Sequence, residues 1–156
     1  MNSILVPVDG SAAAGHALEQ ALQLADESDE SVEVDVLTVV DTTTTPIQFG
    51  VTDVVEIDRA RMLLVDEIAA VSDDHDAEIH GAVRRGRPAR IVTSYADERD
   101  IDLIVLGRTE HSSVGETLFG STADRVVERA PVPVLVVPET EADDDRPLSP
   151  LDWCPG

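Results

Sequence analysis

Five short apolar runs, the first four each followed by a stretch with helical spacing, limit what this chain can fold into more than any other feature. The first, Ile4-Leu5-Val6-Pro7-Val8, stops at the turn Asp9-Gly10-Ser11. It reads as a buried strand, with Pro7 marking its end because proline cannot donate to a ladder. Ala12 to Ala25 follows, and Ala14, Ala17, Leu18, Ala21, Leu22 and Ala25 fall at helical spacing. Val32, Val34 and Val36 alternate with Glu33 and Asp35 before the continuous run Leu37 to Val40, which predicts a second strand. Asp41 to Asp53 is a threonine-rich loop, and Val54 to Val71 a long helix with Val54, Ile57, Arg61, Leu64, Val65, Ile68 and Ala69 along one side. Ala77 to Val83 is the third strand, and Gly86-Arg87-Pro88 opens a helix running to Glu98, with proline in its first turn. Ile101 to Leu106 is the fourth strand, Gly107 to Gly120 a polar loop, Ser121 to Ala130 a helix and Val132 to Val137 the fifth strand.

Strands that alternate with helices run parallel and are joined by right-handed crossovers. The expected fold is therefore α/β: an open, doubly wound, five-stranded parallel sheet, Rossmann-like, with strand order 3-2-1-4-5 and helices on both faces. Such sheets hold ligands at the carboxyl ends of their strands. Here those ends are Val8-Asp9-Gly10, Val39-Val40-Asp41, Val83-Arg84 and Leu106-Gly107. The pattern occupies residues 1–138 as one domain. Residues 139–156 break it with six acids, one arginine and three prolines, and read as an acidic tail. Trp153 and Cys154 near its end suggest a docking segment as the sharper alternative to a solvated tail.

Charge removes whole classes of function. Asp and Glu number 32 against 11 Lys and Arg, a net charge of -21, so nucleic acids and anionic membranes are repelled. All the basic residues are arginine; without lysine there is no Walker A loop, no kinase phosphate lysine and no Schiff base. Dense acid without lysine points to a very salty cytoplasm, the setting of an extreme halophile, where salt screens self-repulsion. The single cysteine excludes an internal disulfide and fits a reducing compartment. No basic-then-apolar leader and no run of about 20 apolar residues is present, so a cytoplasmic location is expected. Neither a G-x-S-x-G elbow nor a G-x-G-x-x-G loop occurs, and no catalytic residue or metal-ligand cluster is assigned. Arg84, Arg85, Arg87 and Arg90 form the one basic concentration.

The segment from Gly107 to Val126 carries the strongest local signal. Gly120-Ser121-Thr122 stands at a helix N-terminus, where free N–H groups and the helix dipole favour an anion. Ser121 with Asp124 three residues on also resembles a capping box. Taken in order, Leu5-Val6-Pro7-Val8-Asp9-Gly10-Ser11, Val105-Leu106-Gly107-Arg108, Gly120-Ser121-Thr122-Ala123-Asp124-Arg125-Val126-Val127 and Ala130-Pro131-Val132-Pro133-Val134-Leu135-Val136-Val137 resemble the universal stress protein family.

That resemblance implies a regulatory protein of stress responses that binds ATP, with or without Mg²⁺, or a related adenine nucleotide, and forms a homodimer through Val132 to Val137. ATP-binding members use glycine, two residues, glycine, nine residues, glycine, then serine or threonine. Gly107, Gly120 and Ser121 match; Glu110 replaces the second glycine. By the same resemblance Asp9 meets the ribose, Pro7 and Val8 flank the adenine, and Val39 covers the base. Leu106, Arg108 and Thr122 complete the site beside the phosphate-facing glycines. A non-nucleotide adaptor, with Glu110 closing the phosphate site, and a slow ATPase are the alternatives. Protein partners are undefined by the sequence.

Overall fold

The computed structural model describes residues 1–42, 51–108 and 120–138, with the side chains of 51–53, 120 and 121 excepted. The elements alternate as predicted: β1 (Ser3–Pro7), α1 (Ala12–Glu27), β2 (Glu33–Asp41), α2 (Val51–Ser72), β3 (Glu78–Gly86), α3 (Pro88–Glu98), β4 (Leu103–Arg108), α4 (Gly120–Arg129) and β5 (Val134–Pro138). All pairings are parallel and the order is β3-β2-β1-β4-β5, the order expected.

Alternation along the strands divides the core into two layers. Ile4 and Val6 face one side with Val34, Val36 and Val105, under the alanine and leucine stripe of α1 and under Leu64 and Val71 of α2. Leu5 faces the other side with Leu37, Ile104 and Leu106, under Ala89, Val92, Tyr95 and Ala96 of α3 and Ala123 and Val126 of α4. Successive strand residues point to opposite faces, so one strand serves both layers. Alanine at Ala13, Ala14, Ala17, Ala21 and Ala25 brings α1 close to the sheet, and Ser11 caps it by accepting the Ala14 N–H at 3.1 Å.

Several boundaries differ from those the sequence suggests. β4 begins at Leu103 rather than Ile101, because the Ile101 N–H closes the end of α3 on the Ala96 carbonyl. It runs on through Gly107 and Arg108, which are strand residues paired with Val137 and Pro138. β5 starts at Val134 rather than Val132; Pro131 and Pro133 have no N–H to donate. β3 extends to Gly86 and so includes Arg84 and Arg85. In α2 the apolar side is not wholly buried: Ala60, Leu64 and Val71 face the core, whereas Val54 and Val65 are 58% and 59% exposed. The tail over 139–156, with Trp153 and Cys154, lies outside the described residues.

One buried carboxylate ties α3 to the sheet. Asp35, in the middle of β2, accepts the Tyr95 hydroxyl at 2.9 Å and lies 3.7 Å from the Arg99 guanidinium. Arg84 and Arg99 each stand 5.4 Å from the Tyr95 ring centroid. Burial, then the bond to Asp35, pushes the Tyr95 hydroxyl pKa up to about 12, against the opposing pull of the two arginines. At the other end of the sheet Asp102 accepts the backbone N–H groups of Asn2 at 2.7 Å and Ser3 at 3.2 Å, which holds its carboxyl below the usual range.

Candidate functional site

Between β1 and β4 the chain switches direction across the sheet, and a cavity of ≈ 340 Å³ opens there at the carboxyl ends of the strands. Pro7, Val8, Asp9, Val39, Leu106, Gly107 and Thr122, all expected at the site, line it together. Arg108 does not line it; this residue is exposed at the end of β4. Gly120 opens α4 two residues before Thr122, but its surroundings, the Ser121 side chain and the loop with Glu110 and His111 lie outside the described residues.

Asp9 stands two residues past the end of β1. Its Oδ1 accepts the Ser11 N–H at 3.0 Å, an Asx turn that sets the chain into α1 and fixes the carboxylate at the cavity. Gly10 takes a φ of 87°, the left-handed region that favours glycine. On α2, Glu67 is raised above the usual carboxylate range by burial first and by the charge of Asp9 second. Gly107 is fixed by packing: a Cβ there would come within 2.3 Å of the Ala13 carbonyl oxygen and 2.7 Å of the Ala14 nitrogen. The first turn of α1 therefore approaches the end of β4 closely enough for both to wall one cavity.

Sequence reading missed the third wall. Pro88 and Val92 of α3 line the cavity beside Asp41, because β3 runs to Gly86 in register with Asp41 and delivers the start of α3 to the same end. The signal was Gly86-Arg87-Pro88, a helix start immediately after a strand. Ser11, Ala14, Leu37 and Ala123 complete the lining.

Three helix starts thus surround one cavity: α1 through Ser11 and Ala14, α3 through Pro88, and α4 through Thr122 and Ala123. None carries an acidic residue in its first turn, although 32 of the 156 residues are acidic. Acidic residues are the usual neutralisers of a helix N-terminus; Asp9 already sets a carboxylate at the start of α1, whereas among the described residues no acid stands in the first turns of α3 and α4, whose positive ends favour an anion. Asp9 and Asp41 place carboxylates on the same cavity, suited to accepting hydroxyl donors. The arrangement suits a ligand with an apolar body, hydroxyls and an anionic group.

A wider hollow of ≈ 790 Å³ lies outside this cavity, between Gly10 and the α2 residues Val55, Asp58, Arg59, Met62, Leu63, Asp66 and Glu67. It is larger, yet its rim carries three carboxylates, and among the described residues none of its lining belongs to the first turn of a helix, so the smaller cavity is the better anion site.

The sequence profile described as the universal stress protein family matches residues 1–138. Universal stress protein MJ0531 of Methanocaldococcus jannaschii is 30% identical over 138 residues, covering 86% of this chain and 80% of that protein. The universal stress protein UspA of Lactobacillus plantarum superposes with a TM-score of 0.67 at 29% identity, over 87% of this chain and 97% of that one. A universal stress protein family protein of Arabidopsis thaliana, solved with AMP bound, superposes with a TM-score of 0.65 at 17% identity, over 97% of this chain and 100% of that one.

Proposed function

Because the chain belongs to the universal stress protein family, we propose that it is a stress-response regulator whose cavity binds ATP or a related adenine nucleotide. The observation that carries this reading is the set of three helix starts around one cavity, none with an acidic residue in its first turn, in a strongly acidic chain. Phosphate belongs at those starts, the ribose hydroxyls at Asp9, and the base between Val8 and Val39. The AMP held by the Arabidopsis protein supports the ligand class; at 17% identity the likeness itself carries the fold. The cavity, at ≈ 340 Å³, is of small-ligand size.

Two further features belong to the proposal. The protein acts as a homodimer through its last strand, which ends the sheet with Val134, Leu135, Val136 and Val137 and has Leu135 40% exposed. An edge of this kind invites pairing. The net charge of -21 without lysine supports a cytoplasm of high salt as its setting. Among the described residues no helix is long and apolar enough to cross a membrane.

Glu110, standing where ATP-binding relatives place a second glycine, favours one alternative: an adaptor of the same fold that binds no nucleotide. Calorimetric titration of ATP with Mg²⁺ in concentrated KCl separates the two. The expected result is saturable binding at one site per chain, weakened at least about tenfold by Asp9→Asn, the usual worth of a charged hydrogen bond. Asparagine keeps the acceptor for the Ser11 N–H, so the turn survives. Absence of saturable binding by the folded protein would establish the adaptor reading instead.

A further inference from the structure

At the opposite end of the sheet, the register of β2 with β3 sets Glu33 directly beside Glu78, and Asp35 beside His80. Like charges opposite one another on neighbouring strands repel. Among the described residues no arginine pairs with either carboxylate. What stands between them is the His80 imidazole, whose Nε2 lies 3.3 Å from Glu33 Oε1 and 3.0 Å from Glu78 Oε2. One donor atom from each of the three side chains falls within 4.8 Å of the others.

We propose that Glu33, Glu78 and His80 form a binding site for a divalent first-row transition ion. Metal–donor bonds of about 2.1 Å place neighbouring ligands about 3.0 Å apart in an octahedron and about 3.4 Å apart in a tetrahedron. The two separations, 3.3 and 3.0 Å, lie within this range, which ordinary ion pairs also span. The Glu33–Glu78 edge closes by side-chain rotation, for which all three groups have room: their side chains are 52%, 62% and 42% exposed in the order Glu33, Glu78, His80. The remaining coordination positions face water. Two carboxylates and one imidazole suit Zn²⁺ or Mn²⁺, whereas Mg²⁺ and Ca²⁺ prefer oxygen donors alone.

Glu30, three residues before Glu33, is paired with the Met1 ammonium at 3.3 Å, and Asp76 precedes Glu78 by two residues. A divalent ion would relieve the Glu33–Glu78 repulsion and fasten the edge strand β3 to β2. The site lies eight residues along β2 from Asp41, roughly 26 Å at the rise of an extended strand, so it is independent of the nucleotide reading.

The test titrates ZnCl₂ into the intact protein, with and without excess Mg²⁺, and repeats the titration with Glu78→Gln, His80→Ala, His75→Ala and Cys154→Ser. We expect one ion per chain, undisturbed by millimolar Mg²⁺, and affinity reduced at least tenfold in Glu78→Gln and in His80→Ala separately. His75→Ala and Cys154→Ser leave it unchanged. Loss of saturable binding in the parent protein, or equal affinity in the parent and the two ligand variants, overturns the proposal. So does transfer of the effect to His75 or Cys154. The ligand side chains are solvent-facing, and circular dichroism on each variant verifies that the fold is intact.

Discussion

A methyl group at position 107 would have to occupy space already held by the peptide between Ala13 and Ala14. The obstruction is backbone on a capped helix, which cannot swing aside as a long side chain does. Gly107→Ala is therefore expected to destabilise the protein by about 3 kcal/mol, the upper range of overpacking, read as a fall in denaturant midpoint at unchanged slope. The same residue shows what the sequence could disclose at this scale. Asp9-Gly10 was recognisable as a turn, and the family resemblance pointed to Asp9 and Gly107, both of which line the cavity. The reason for Gly107 was hidden, because its neighbour in space is α1, more than ninety residues earlier. His80 was only half legible: Glu78, two residues before it, shares its face by strand alternation, but Glu33 is brought to it by strand register, which spacing along a chain does not encode.

Among the elements, the two edge strands contrast. β3 carries the charges of Glu78, Arg84 and Arg85, which discourage another strand from pairing there. β5 offers valine and leucine with no charge between Val134 and Val137. If pairing across β5 makes the dimer, Leu135→Arg should convert it to a monomer in light scattering while far-ultraviolet circular dichroism is retained; a dimer that persists would move the interface elsewhere. Element types were legible because each apolar run is short and each helix has its own period. Ends were not: prolines delayed β5, a backbone bond to Ala96 delayed β4, and register with β2 lengthened β3. The α2 stripe misled for a related reason. Helical spacing marks a stripe without saying which edge of it the sheet covers, and only contact with β2 and β3 decides which side is dry.

For the molecule as a whole, self-repulsion from a net charge of -21 opposes compaction. Raising KCl from 0.1 M to 2 M shortens the screening length from about 10 Å to 2–3 Å, roughly as the inverse square root of concentration. The melting temperature is expected to rise by about 10 °C across that range, equivalent to roughly 3 kcal/mol for a chain of this length. Scanning calorimetry at the two concentrations measures it, and a flat or falling value would show that the acidic surface is no adaptation to salt.

The seam between α3 and β2 carries a built-in optical label. Tyr95 is the sole tyrosine of the chain, and its hydroxyl is bound to the Asp35 carboxylate in the protein interior. The phenol spectrum of this protein therefore belongs to one place. It reports whether one helix is seated on one strand, and it does so without any label being added.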